Sequence, residues 1–261
     1  MMRSLWIAGT GLAAQQTSIE VISNNLANVS TVGFKKSIPE FQDLLYQTFR
    51  VAGSPTTQGV LPVGVQLGLG VHAVAVHRVQ GQGNHEETKN ALDVMIEGEG
   101  FFQVTLPDGT TAYTRDGSFK LNNEGVVVTE DGMPILPSIT IPTDTPIISI
   151  SPEGVVAVAP GNSVPPTVIG NIELVRFINP AGLNSIGKNL YQVTGASGEA
   201  VAGLPNQEGF GGLRQGFIET SNVNIAEEMV KMIVAQRAYE LNAKAIQTSD
   251  EMLSLLYTLK R

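Results

Sequence analysis

Cysteine is absent from the 261 residues, which removes disulfides, thiolate metal sites, iron–sulfur clusters and thiol catalysis while leaving the compartment open. Charge is sparse at 15%, aromatic residues make up 6%, and Trp6 is the one tryptophan. Positive charge is in deficit: 16 Lys and Arg stand against 24 Asp and Glu, a net charge of -8. Binding to a phosphate backbone rests on clustered Lys and Arg, so no nucleic-acid partner is expected. No run reaches the roughly 20 apolar residues that a spanning helix needs. Three histidines, His72, His77 and His85, are too few and too unevenly spaced for a metal site, and in a strand His72 and His77 project to opposite faces.

Motifs that carry chemistry are equally thin. Glu97 and Glu99 mimic an acid/base pair on one strand face, yet Gly98 and Gly100 mark a kinked strand or bulge. Ser185 to Lys188 fits Ser-x-x-Lys without its companion motifs. GFGGLRQG, residues 209–216, lacks the Lys-Ser/Thr of a phosphate loop. Asp108-Gly109, Asp116-Gly117, Asn123-Glu124-Gly125 and Asp131-Gly132 have the composition of hairpin turns and the spacing of no calcium loop. Neither a catalytic residue, a cofactor, a metal nor a small-molecule substrate is expected.

What the chain does have is 28 glycines and 14 prolines within a 42% hydrophobic composition, the balance of turn-rich β structure. The order reads helix, long β-rich middle, helix. Arg3 followed by the apolar stretch Leu5 to Ala14 imitates a signal peptide. However, Leu5, Ala8, Leu12, Gln15, Ile19, Ile22, Leu26 and Val29 alternate spacings of three and four, one helical seam running through the supposed cleavage point. The segment is therefore expected to be retained. Gly9 and Gly11 each cost up to about 1 kcal/mol in a helix relative to Ala, and Asn28 to Gly33 supplies breakers that end it before Phe34.

Residues 51–70, VAGSPTTQGVLPVGVQLGLG, keep neither a helical period nor strand alternation, and Pro55 and Pro62 break both ladders. An extended, partly exposed stretch is predicted, with Val60, Leu61, Val63, Val65, Leu67 and Leu69 as apolar anchors. It is long for a connection, where about 4 to 6 residues is typical, so its length asks for a function or for disorder, and functional contact is the one expected. Between about 71 and 220, short strands separated by Asp-Gly, Asn-Pro and similar turns predict an antiparallel β domain.

The last segment opens with Asn224 and Glu227, a capping box with Asn as the cap, and carries Glu227 and Glu228 at the positive end of the helix dipole and Lys260 and Arg261 at the other. Its apolar residues form two lines. Ile225, Met229, Met232, Gln236, Tyr239, Ala243, Ile246, Leu253 and Tyr257 follow one; Val230, Val234, Ala238, Leu241, Ala245, Met252, Leu255 and Leu259 follow another, expected about one residue, or 100°, further round. Two lines need two neighbours. Either one is the amino-terminal helix and the other a second subunit, or both lines pack on the β domain.

At this point the residues carry a resemblance. SNNLANVSTVGFKK, residues 23–36, is similar to the amino-terminal signature of the flagellar rod and hook family, with Asn24, Asn25, Leu26, Ala27, Asn28, Thr31, Gly33, Phe34 and Lys35 matching. Ser221-Asn222-Val223, Glu228-Met229-Val230 and Gln236, Arg237, Ala238, Tyr239, Glu240 resemble the carboxy-terminal helix of that family. GEGFFQV and AYTRDGSF resemble its shared β region. With Tyr46 to Gly70 present, the chain is most similar to subunits of the distal rod; the alternatives are another axial subunit, a second rod protein or a hook protein, or a secreted β-rich binding module.

The resemblance implies an α+β fold: a discontinuous terminal coiled-coil domain, 1–33 and 222–261, an extended rod-specific stretch, 34–70, and a β-rich outer domain, 71–221. It implies a structural protein with no enzymatic activity, self-assembling into a rigid helical tube that transmits torque to the hook. The partners implied are copies of itself, proximal rod subunits, hook protein, surrounding ring proteins and the type III export apparatus. The location implied is the basal-body rod crossing the periplasm, reached without a cleaved signal peptide. Subunit contacts are expected at Leu5, Leu12, Ile19, Ile22, Leu26, Val29, Ile225, Met229, Met232, Tyr239, Ile246 and Leu253, and at Val230, Val234, Leu241 and Leu255.

Overall fold

The computed structural model describes residues 2–53, 55–56, 59–60, 62–142, 147–159 and 165–259. The expectations for Leu61, Lys260 and Arg261 lie outside the described residues, and those for Val60, Tyr257 and Leu259 outside the described side chains. The fold is α+β: a helix at each end of the chain with antiparallel β structure between. The chain divides into two compact units, one of residues 1–27, 37–77 and 224–261, the other of residues 28–36 and 78–223.

The first unit holds both helices, α1 (Met2–Ala27) and α2 (Ile225–Leu259). Asn224 caps α2 as its sequence predicts: its Oδ1 accepts from the backbone N–H groups of Ala226 at 3.0 Å and Glu227 at 3.3 Å. The helices run antiparallel in one register. Ser4 Oγ lies 3.3 Å from Ser249 Oγ, a Cβ on Gly11 would stand 2.9 Å from the Asn242 amide nitrogen, and Asn25 Nδ2 donates to Glu228 Oε2 at 3.0 Å. Each advance of seven residues along α1 is met by seven residues back along α2. The contact line is thus Ser4, Gly11, Ser18 and Asn25 against Ser249, Asn242, Ala235 and Glu228, small or polar residues that let the backbones approach closely. The large apolar line of α1 lies one residue round, with Ile22 buried and Leu5, Leu12, Ile19 and Leu26 half-buried.

Two expectations change here. Val29 does not extend the seam, because α1 ends at Ala27 and Val29 lies in the following turn. The two apolar lines of α2 lie on nearly opposite faces: Val230, Val234, Leu241 and Leu255 are turned away from α1, whereas Met232, Ile246 and Leu253 flank the contact line, half-buried.

The same unit contains β1 (Ser37–Asp43), β2 (Tyr46–Arg50), β3 (Val65–Gly68) and β4 (Val71–Arg78). β1 pairs with β4. The stretch predicted as merely extended is a hairpin: β2 and β3 are antiparallel, Tyr46 facing Gly68 and Thr48 facing Gln66, with a bulge near Arg50. It is tied to the first turn of α1, where Arg3 stacks over Phe49 at 4.9 Å, and β4 is tied to the same helix, Thr10 Oγ1 accepting from Val71 N at 3.4 Å.

The second unit is built on a mixed-length sheet whose strands run, in spatial order, Asn184–Gly187, Leu190–Gln192, Thr111–Thr114, Phe101–Thr105, Leu174–Arg176 and Val201–Gly203, with Ile135–Leu136 also on Phe101–Thr105. Alternation gives it two buried faces. Phe102, Val104, Ala112, Leu174 and Leu190 enter the main core with Ile96, Phe119 and Val156. Phe101, Tyr113, Val175 and Tyr191 join Phe177 on the other, where Tyr113 and Phe177 meet edge to face at 4.9 Å.

The helix register makes a paired prediction. A Cβ at Gly9 meets nothing within 4 Å, so Gly9→Ala should gain about 0.5–1 kcal/mol from helix propensity alone. Gly11→Leu gains the same propensity but forces Asn242 aside, and should lower stability in urea titrations followed by helical circular dichroism. Equal stabilisation by both would refute the close approach.

Candidate assembly interface

Each amino-terminal signature residue that is buried has a local task. Asn25 is 1% exposed and imitates a strand partner for Ser37: its Nδ2 donates to Ser37 O at 2.9 Å and its Oδ1 accepts from Ser37 N at 2.9 Å. With its bond to Glu228 it therefore joins α1, the start of β1 and the first turn of α2. Glu228 is completed by Lys231, Nζ to Oε1 at 3.0 Å. Thr31 closes the turn after α1 by donating from its hydroxyl to Asn28 Oδ1 at 3.2 Å and from its N–H to Asn28 O, also at 3.2 Å. Gly33 takes a φ of 69° and comes so near residue 116 that a Cβ would lie 2.8 Å from Asp116 N, a position only glycine tolerates.

Lys35 carries the largest electrostatic burden. Its side chain is fully buried; Nζ donates to Gly81 O at 2.9 Å and to Glu219 Oε1 at 2.5 Å. Glu219, itself 1% exposed, also accepts from Gly83 N at 2.7 Å and faces Arg115, whose Nη1 lies 3.8 Å from its Oε2. Burial holds the Lys35 ammonium below its ordinary pKa; Glu219 pulls it back up and the Arg115 charge lowers it further. Asn222 stands beside this group: its Oδ1 accepts from Lys36 N at 2.7 Å and its Nδ2 donates to Val79 O at 2.9 Å. The segment leaving α1 and the segment approaching α2 are thereby fixed against one another. Sequence reading found Lys35 and Asn222 as signature residues but not their bonds, and it missed Glu219 and Arg115 as a buried pair. A lysine set between Phe34 and a polar run was the available signal.

Many of the remaining signature and seam residues are turned outward. On α2, Ile225, Met229, Val230, Val234, Tyr239, Leu241 and Leu255 are exposed, Val234 at 63% and Leu241 at 69%. Gln236, Arg237 and Glu240 are exposed too, Arg237 pairing with Glu240 at 2.7 Å. Asn24 and Ala27 are exposed on α1, and Phe34 is buried. In the hairpin region, Val63, Val65 and Leu67 are exposed and Leu69 half-buried, beside an 85% exposed Leu45. An apolar groove of about 340 Å³ opens between α1, β1 and α2, walled by Val21, Ile22, Ile38, Pro39, Val230 and Val234. Among the described residues no group of three His, Asp or Glu is placed to hold a metal, and no helix is long and apolar enough to cross a membrane.

The Asn25 junction predicts strong coupling. Asn25→Ala leaves the Ser37 N–H and C=O buried without their partner, at about 1–3 kcal/mol for each such group. A double-mutant cycle of Asn25→Ala and Glu228→Ala, measured by denaturant unfolding, should show a coupling of about 1 kcal/mol or more. Additive losses would mean that the two helices are not joined through this bond.

Three family models match this chain: a flagella basal body rod protein model over residues 5–35, the flagellar hook protein FlgE/F/G D1 domain over 95–158, and the flagellar basal body rod FlgEFG protein C-terminal over 214–259. The chain is 53% identical over 264 residues to the flagellar basal-body rod protein FlgG of Borreliella burgdorferi, covering 100% of both chains. It is 52% identical to FlgG of Buchnera aphidicola subsp. Acyrthosiphon pisum, over 99% of this chain and 100% of the relative. To FlgG of Caulobacter vibrioides it is 47% identical, again over 99% and 100%. With both terminal signatures, the β region between them and about half of all residues shared end to end, the chain belongs to the FlgG family of flagellar basal-body rod proteins.

Proposed function

We propose that the chain is a structural subunit of the distal rod that polymerises through its two helices into a rigid tube transmitting torque to the hook. The observation that carries this is the outward apolar face of α2. A 35-residue helix spends its small and polar line on α1, and exposes Val230, Ile233, Val234, Leu241 and Leu255 on the surface turned away from that line. A helix in an isolated globular chain turns such residues inward; contiguous exposed apolar surface marks an interaction site. Neighbouring copies cover this face, and Val230 and Val234 lead it into the apolar groove beside β1. The exposed Gln236, Arg237, Tyr239 and Glu240 belong to further contacts between subunits, since within the subunit they do little beyond one surface pair.

The remaining reading follows from this assembly. The terminal helices form the assembly domain, residues 37–77 a rod-specific region within the same unit, and residues 28–36 and 78–223 the outer β domain. Proximal rod subunits, hook protein and ring proteins adjoin the polymer in the basal body across the periplasm. The type III apparatus exports the chain uncleaved, since the α1 register with α2 begins at Ser4 and would lose its first two contacts with a signal peptide. The chain acts as scaffold and not as enzyme.

The hairpin that holds Val63, Val65 and Leu67 stiffens the tube. Anchored to α1 by the Arg3–Phe49 stack, it carries its exposed apolar residues onto a neighbour, so bending the tube must shear them.

Two experiments follow. Leu241→Asp and Val234→Asp place charge on the outward face and should prevent tube formation in electron micrographs while leaving monomer unfolding within about 0.5 kcal/mol of the parent, as for other surface changes; intact tubes would reject the contact. Deleting residues 51–66 should permit polymerisation but yield curved or compliant tubes, read as a shortened persistence length, and tubes as straight as the parent would reduce the hairpin to a connection.

A further inference from the structure

One buried cluster of the second unit holds more cations than anions. Lys35 and Arg115, with side chains 0% and 5% exposed, share one carboxylate, Glu219. An unmatched buried cation is costly unless it finds an anion. Arg115 directs Nη1 to Gly98 O at 2.9 Å, but its Nε has no hydrogen-bond partner among the described residues. The guanidinium is wedged over the Phe101 ring at 5.1 Å, so it cannot swing out to water.

Arg115 forms part of the wall of an open pocket of about 140 Å³. Gln80 is on the same wall, and its Oε1 is also buried without a partner; a half-turn of that amide presents an N–H in its place. Arg176 stands at the mouth, held by its bond to Gly209 O at 3.2 Å and by stacking on Phe210 at 5.6 Å. Exposed Ile178 and half-buried Pro180 complete the rim. Glu99 lines the mouth as well, but its carboxylate is 75% exposed and 4.0 Å from Arg176 Nη1, and Arg115 Nε stays unmatched beside it.

We propose that this pocket is a carboxylate site, filled on assembly by an Asp or Glu side chain of a second copy of the chain. The donor set is that of oxyanion recognition: a fixed guanidinium edge, a second arginine at the mouth and an adaptable amide. The supply is in the composition, 24 acidic against 16 basic residues, which makes an acidic surface of a like subunit complementary to this cationic recess. The inference rests on the polymerising role proposed above, and it adds a polar lock in the β-rich unit to the apolar helix contacts.

The test uses the full chain and its critical concentration for tube formation. Arg176→Gln should raise that concentration by about tenfold, the worth of one charge-assisted hydrogen bond, with a smaller rise for Arg176→Lys and monomer melting little changed in both. Acetate replacing chloride at constant ionic strength should compete with assembly in the parent and not in Arg176→Gln. Glu99→Gln should leave assembly unimpaired or favour it. An Arg176→Gln variant that polymerises at the parental concentration would overturn the site. A Glu99→Gln loss matching that of Arg176→Gln would overturn it too, by showing that the subunit fills its own pocket. Acetate that raises monomer melting without affecting assembly would assign the pocket to a free anion and overturn the second copy as its source. Should the parental chain form no tubes at all, the rod reading fails, and monomer melting in acetate decides the pocket separately, no stabilisation overturning it.

Discussion

Close approach of two antiparallel helices along a line of small and polar side chains governs what the rest of the molecule can do. Ser4, Gly11 and Asn25 meet Ser249, Asn242 and Glu228, and none of these contacts uses a large apolar side chain. Helix pairing in water normally draws its stability from apolar burial. Here the pair is specified by steric fit and hydrogen bonds, and much of the apolar surface of α2 is left over. That surplus is the driving force available for assembly, at about 25 cal/mol per Å² once covered. A pair that buried its leucines and valines internally would be a better monomer and a poorer subunit.

Polar bonding provides the direction that apolar surplus lacks. Asn25 fixes β1 to both helices, and the Lys35–Glu219 pair with Asn222 fixes the segments that enter and leave them. Buried ion pairs are seldom a net source of stability, but breaking one by removing a partner is costly. They act here as registers: a slip of one residue at either end leaves a buried charge or amide unmatched. The signature is therefore readable as chemistry, with Asn25, Thr31, Gly33 and Lys35 each answering a particular local demand of hydrogen bonding, close approach or charge.

Much of this was legible in the sequence and some was not. The α+β class, the Asn224 cap, the turn after α1 and the identity of both terminal signatures follow from spacing and residue type. The contact line of the helices was hidden because a search for periodic apolar residues passes over Ser4, Gly11, Ser18 and Asn25, although their seven-residue repeat was there to be counted. The β2–β3 hairpin was hidden because strand alternation arises from one buried face, and β2 and β3 are largely exposed. Glu219 and Arg115 come from segments far from Lys35 in the chain, so their meeting is a product of topology that no local pattern announces.

In the assembly proposed above, the apolar surface of α2 turned away from the α1 contact line is open in the subunit and closed by neighbours in the tube. Because the chain has no cysteine, one introduced at position 241 is a unique probe of that face. The Leu241→Cys thiol should react with a maleimide at a solvent-exposed rate in the dilute subunit and at least about tenfold more slowly in assembled tubes, the ratio expected when closure of the site is favoured by about 1.4 kcal/mol. Equal labelling rates in subunit and tube would contradict the account.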